Sequence, residues 1–335
     1  MIKEVDLPEK AGLYTIMVPS IFPTGDTRCY LGEGDDGWTI VDCGVRTDQA
    51  QEIWTAGLRR IGIGFKDIKH IFLTHNHPDH YGLAGWLQHQ SGAIVHMSSA
   101  DINTQRKYSL PQQEQLDVLL QDMKPYGIPV DLITSFVKDI EIIKQFSWPL
   151  AEVLPLESEQ LFRMGDDQYE FILVPGHSDG HVMYVGLNQK RVLSGDSMLF
   201  DRVSQISDWP YSVLDNPLEV QLNALRELAK KDPGVVLTAH GPIFEGIPSR
   251  IVEIENLFQR RLNKVLNLLQ RDFTLPELCQ TINVRARVLQ EMRVSWADTR
   301  AYLEYMWRQK KISKHEDRCI KYGPISQGLE YNKEQ

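Results

Sequence analysis

Short apolar runs alternate with amphipathic stretches along this chain, and the alternation predicts its elements. Residues 12–18 and 28–33 read as strands with a turn at 22–26 between them, and Trp38 to Val41 supplies a third before Asp42-Cys43-Gly44. Thr47 to Ile61 sets Ile53, Trp54, Leu58 and Ile61 at helical intervals. Gly62-Ile63-Gly64 then leads to Ile71-Phe72-Leu73, a run suited to a buried strand. Helical spacing resumes from Tyr81 to His89, and Ala93 to His96 is a short strand. Between about 100 and 150 the pattern is helical, over 116–123 and 132–146, broken at Tyr126-Gly127-Ile128-Pro129. Strands return at 170–175, 183–187 and 190–194, an amphipathic helix at 217–230, and a last strand at 235–238.

Beyond Pro248 the character changes. A long helix is expected from Arg250 to Leu269, and Thr274 with Glu277 forms a capping box for a second. Ala286 to Met292 reads as helical, Ser295 as the cap of a further helix, Lys311 to Tyr322 as a hairpin, and the residues from Gly323 as a loose tail.

Four metal-type ligands, His75, His77, Asp79 and His80, fall within six consecutive positions after the Ile71–Leu73 strand. They lie on a strand-to-helix loop, where α/β folds gather ligands. His75 and His77, two apart in extended chain, point the same way and can share one ion; Asp79 and His80, further along, can reach a second. Imidazole and carboxylate suit zinc and similar divalent ions. A lone histidine on a loop is ordinarily just a solvated side chain, but four such groups in this pattern are not.

The HxHxDH pattern formed by these residues resembles the signature of the metallo-β-lactamase superfamily. Further stretches fit in the expected order. Asp42 sits in an Asp-x-Gly turn, where the resemblance implies a role in orienting a ligand histidine, although capping of the turn explains it equally. His177, after the 170–175 strand, matches the third ligand of a first ion, and His181 a supporting position. Asp196 matches a carboxylate bridging two ions, and His240, in a His-Gly-Pro turn, the last ligand of the second. The resemblance covers about residues 12–245.

It implies an αββα sandwich of the α/β (α+β) class over residues 1–248, with a helical insertion at about 100–150. That insertion either covers the active-site mouth or buttresses the sheet from outside. The implied cofactors are two divalent ions, zinc first and iron or manganese also compatible, held by His75, His77 and His177 and by Asp79, His80 and His240, with Asp196 between. Asp79 and Asp42 are the expected catalytic residues, and a hydroxide held by the ions the expected nucleophile. Many true β-lactamases of this superfamily carry a cysteine near the stage of the chain where Asp196 stands, so the glyoxalase II and ribonuclease branches are the better match. The expected reaction is hydrolysis of a small ester or thioester; the alternative is endoribonuclease or phosphodiesterase action on single-stranded RNA. A regulator with a purely structural metal site is a third reading, disfavoured by the complete ligand set.

At 335 residues the chain exceeds what one core usually fills, so two domains are expected, the second over 249–335. Its helices followed by a hairpin resemble a winged helix. Net charge is −9, but from residue 249 onward 16 Lys and Arg face 11 Asp and Glu, against 20 and 34 before it. The tail's basic balance permits nucleic acid, yet its charges alternate and form no dense block, so closing the cleft or self-association as a homodimer fits better. The polar N-terminus and the lack of a long apolar run predict a cytoplasmic protein without membrane contact. Four scattered cysteines suggest reduced thiols rather than disulfides or a cysteine-rich metal site.

Overall fold

The computed structural model describes residues 2–4, 11–231, 233–282 and 288–325. The chain runs through β1 (Lys3–Glu4), β2 (Leu13–Val18), β3 (Thr27–Glu33), β4 (Trp38–Val41), α1 (Asp48–Ile61), β5 (Ile68–Phe72), α2 (Pro78–Tyr81), α3 (Ala84–Ser91) and β6 (Ile94–Met97). The insertion follows as α4 (Ser99–Tyr108), α5 (Gln112–Met123) and α6 (Val130–Lys144). Next come β7 (Val153–Pro155), β8 (Leu161–Met164), β9 (Asp167–Leu173), β10 (Val182–Gly186), β11 (Arg191–Gly195), α7 (Pro217–Lys230), β12 (Val235–Thr238) and β13 (Phe244–Glu245). The tail holds α8 (Ile247–Leu268), β14 (Phe273–Thr274), α9 (Leu275–Ile282), α10 (Leu289–Arg308), β15 (Ser313–Glu316) and β16 (Ile320–Gly323).

Two sheets form the body. The first keeps sequence order, β2-β3-β4-β5-β6-β7, antiparallel up to β4 and parallel from there. The second is ordered β1-β13-β12-β11-β10-β9-β8, with β11 and β12 its parallel pair. Leu13, Tyr30, Phe72, Tyr169, Tyr184 and Leu193 fill the space between them. On the outer face of the first sheet α1 and α3 bury Trp54, Leu58 and Leu87, and the Trp54 indole N–H donates to the Cys43 carbonyl at 2.8 Å. Burial of an aromatic ring with its N–H satisfied makes such a helix hard to detach.

The outer face of the second sheet carries more. One continuous apolar cluster runs from Met183 and Val192 through α7 to Phe136 of α6, Phe258 of α8 and Trp296 of α10. An αββα sandwich therefore stands as expected, with the insertion and the tail packed onto one of its layers.

Several boundaries differ from the sequence reading. The helix expected from Tyr81 to His89 is two pieces, α2 and α3, separated at Gly82-Leu83. Gly82 keeps helical angles and the break falls at Leu83, whose ψ is 1°; a side chain at Gly82 would meet the Phe146 carbonyl and the Arg46 amide, so glycine lets those segments pack close. Ser295 does not mark a helix start: it lies inside α10, which is unbroken from Leu289 and buries Trp296, Ala297 and Thr299 there. The helical reading of Ala286 to Met292 falls partly outside the described residues, as does most of the expected tail from Gly323. Pro248 lies in the first turn of α8. The capping box is present, with the Thr274 amide donating to Glu277 Oε2 at 2.7 Å. No helix among the described residues is long and apolar enough to cross a membrane.

Candidate metal centre

Parallel pairing in both sheets brings several strand ends to one rim. β4 delivers Asp42, β5 the loop with His75 to His80, β11 Asp196 and β12 His240, while the turn between β9 and β10 adds His177. All seven residues expected to bind metal converge. Ligand atoms of His75, His77 and His177 lie within 4.8 Å of one another, as do those of His75, His80 and Asp196, and those of Asp79, His80 and His240.

The outward nitrogens are fixed by acceptors, which sets the inward ones. Asp42 Oδ2 accepts from His80 Nδ1 at 2.8 Å, the Gln205 carbonyl from His177 Nδ1 at 3.1 Å, and the Asp26 carbonyl from His240 Nδ1 at 2.9 Å. Each bond holds a tautomer whose Nε2 lone pair faces the centre. Asp42 does more, since Oδ1 accepts the Thr74 amide at 2.8 Å and Oδ2 the Thr74 hydroxyl at 2.8 Å, all from a backbone held at φ 61°. A non-glycine residue in the left-handed region is strained, and here the strain accompanies a function. Asp42 thus both shapes the turn and orients a histidine.

His80 Nε2, His177 Nε2, His240 Nε2 and Asp196 Oδ1 are buried without a hydrogen-bond partner in the protein. Asp196 Oδ1 lies 3.4 Å from His80 Nε2 and 3.3 Å from His240 Nε2, and its Oδ2 lies 3.4 Å from His177 Nε2. His75 Nε2 and His77 Nδ1 face each other at 3.0 Å. Buried polar atoms are costly unless something meets them, and converging nitrogen and carboxylate atoms are what divalent cations meet. The residues therefore fit a pair of cations sharing Asp196. Among the described residues no cysteine belongs to these ligand groups, and burial pushes the Cys29 and Cys43 thiols well up.

Burial and the surrounding imidazoles push His75 well down and His77 to about 3, which favours neutral, ligating rings. Burial also opposes charge on His80, but the Asp196 and Asp42 carboxylates outweigh it and raise its pKa.

A family model described as the metallo-beta-lactamase superfamily matches residues 23–240. The chain belongs to the metallo-beta-lactamase superfamily. Within that superfamily, the chain is 26% identical over 311 residues to the probable metallo-hydrolase YqjP of Bacillus subtilis, covering 90% of this chain and 93% of the relative. A solved metallo-beta-lactamase family protein from Thermus thermophilus superposes with a TM-score of 0.82 at 26% identity, over 93% of this chain and 98% of that one. Weaker relatives are a hydroxyacylglutathione hydrolase of Haemophilus influenzae, 25% identical over 52% of this chain and 69% of its own, and an atrochrysone carboxyl ACP thioesterase of Emericella nidulans, 22% identical over 69% and 57%. The chain is thus a metallo-hydrolase of this superfamily.

Sequence reasoning missed the group that locks the ligand loops together. Asp101 of α4 accepts the Asn76 amide at 3.1 Å, the Ser178 hydroxyl at 2.8 Å and the Gly180 amide at 2.7 Å. A side chain at Gly180 would collide with Ser98 Oγ at 2.0 Å, so glycine lets the loop reach this carboxylate. In the sequence Asp101 reads only as an acid in a first helical turn. Thr24 was missed too: its hydroxyl donates to Asp79 Oδ2 at 2.9 Å from the loop between β2 and β3. His181 supports rather than faces the centre, its Nε2 accepting the Asp196 amide at 3.1 Å.

Proposed function

We propose that this metallo-hydrolase cleaves an ester or thioester with a largely apolar body, using two divalent ions, zinc first. One observation carries the reading: His77, Asp79, His177 and Asp196 form one wall of a cavity of about 360 Å³ whose other walls include Ile140, Trp148, Leu150 and Trp209. An apolar cavity of this size suits a small acyl group. The names of the thioesterase and hydroxyacylglutathione hydrolase relatives point the same way.

His75, His77 and His177 would hold one ion, Asp79, His80 and His240 the other, with Asp196 common to both. Bound there, divalent cations supply Lewis acidity and lower the pKa of water from about 16 towards about 7, so that no serine or cysteine nucleophile is needed. The protein's part is to keep three imidazoles in the required tautomer through Asp42 and two carbonyls, to hold Asp79 through Thr24, and to seat the apolar body against α6.

Elemental analysis followed by a panel of thioesters and esters tests this against single-stranded RNA. Turnover of acyl substrates with little response to salt is expected, and Asp79→Ala or His80→Ala should abolish it with the fold intact. Steeply salt-sensitive cleavage of RNA, with no acyl turnover, would establish the alternative instead.

A further inference from the structure

The cavity wall away from the metal loops is apolar but not neutral. One face of α10 supplies Gln290, Arg293, Val294 and Ala297 to it, spaced three and four apart as a helix requires. Ile140, Ile143 and Lys144 of α6, which packs against α10, line it as well. Among the described residues that line the cavity, Asp79 and Asp196 at the metal centre are the carboxylates, and the remaining wall carries two cations and no acid.

Arg293 is the better placed of the two cations. Its side chain is 13% exposed, its guanidinium stands 5.4 Å from the ring centroid of Trp209, and the Tyr108 hydroxyl lies beside it. The nearest acid, Asp139, does not line the cavity, and its Oδ2 stays 3.6 Å from Arg293 Nε, with neither atom finding a hydrogen-bond partner. Lys144 is closed off more fully, by Glu141 at 2.7 Å. A guanidinium carries five N–H donors in a planar fork that matches two oxygens of one anion. Asp139 balances its charge without a hydrogen bond to Nε, and the Tyr108 hydroxyl is a second polar neighbour.

Resting on the ester or thioester reading, we infer that Arg293 is a specificity-determining residue for an anionic group on the substrate, carried at the end remote from the scissile bond. The group has planar or tetrahedral oxygens, as a carboxylate or a phosphate does. α10 then belongs to the substrate pocket, and the tail's basic balance serves a small anion.

Hydroxamates of graded chain length, ending in a methyl, a carboxylate or a phosphate, separate these possibilities when titrated calorimetrically into the metal-loaded protein. An anionic terminus is expected to bind at least about tenfold more tightly than methyl at one chain length, a preference of the size that one charge-assisted pair supplies. Arg293→Gln should erase that preference while leaving the methyl probe unchanged, Arg293→Lys should keep part of it, and Asp139→Asn should enlarge it. Which terminus gains shows whether the anion is carboxylate or phosphate. Equal binding of all three termini at every length, or a uniform weakening by Arg293→Gln with an unchanged thermal melt, overturns the assignment. The probes need no turnover, so an anion preference in a protein that hydrolyses no ester would sink the ester reading and leave Arg293 standing.

Discussion

Asp42 spends one carboxylate on three partners, the amide and hydroxyl of Thr74 and Nδ1 of His80. Asp42→Asn keeps the shape but offers the ring a weaker acceptor, so His80 loses its fixed tautomer. Metal affinity should fall about 10- to 100-fold, the usual cost of losing such a support, as read by competition with a chelator. His96 makes a different point at the same scale. It stacks on Phe72 at 4.6 Å between the sheets, and burial, then the neighbouring His70, lowers its pKa from 6.5 to about 4. The unfolded chain takes up a proton that the folded one refuses, so this contribution to stability is complete above about pH 6.5 and is lost as pH falls through about 4. His96→Phe should flatten the fall in melting temperature over that interval; an unchanged slope would count against the account. Residue identity made His75, His77, Asp79 and His80 legible, because no packing role demands such a cluster, whereas His177, Asp196 and His240 were legible only through the resemblance to the superfamily. Asp101 was illegible for the opposite reason, since its type and place are those of any helix-capping acid.

α10 joins pieces of chain far apart in sequence. Its Arg300, 8% exposed at the side chain, pairs with Asp122 of α5 and at 2.7 Å with Asp208. Arg300→Ala would leave two acids packed together without their counter-charge, which costs about 3–5 kcal/mol when such a pair is broken. The melting temperature should drop accordingly, and Asp122→Asn in the same chain should restore part of it. Element type followed from the apolar spacing over α1, α6, α7 and α8, whose buried faces are wide and regular. The breaks did not. The helical pattern breaks at Leu83, beside a Gly82 that distant backbone approaches closely, and Ser295 continues one because Trp296 and Thr299 beside it are buried. Neither crowding nor burial by a remote segment is written in the local spacing.

At the scale of the whole molecule, four loops and a strand end meet on one rim, and cations would tie them as the hydrogen bonds of Asp42 and Asp101 already do. Removing metal with a chelator should therefore lower the melting temperature reversibly. Free metal at a hundredfold above its dissociation constant stabilises by about 2.7 kcal/mol, so readdition at that level should restore the melt; indifference to metal would contradict a shared centre. The continuous apolar cluster through the second sheet, the insertion and the tail packs α6 against α10, and both helices line the cavity beside the metal centre. The insertion thus does both things the sequence left open, buttressing the sheet and lining the pocket. Taken alone, the sequence determined the positions of most strands and helices and the His75–His80 cluster, because periodicity and residue chemistry are local properties; the layered class and the candidate ligands His177, Asp196 and His240 were legible only through the family resemblance. Which backbone carbonyls orient the histidines, that Asp101 clasps both ligand loops, and that Arg293 faces the cavity were decided by tertiary structure alone. Each depends on groups separated by tens to hundreds of positions, and only the stacking of two sheets brings such groups within a hydrogen bond of each other.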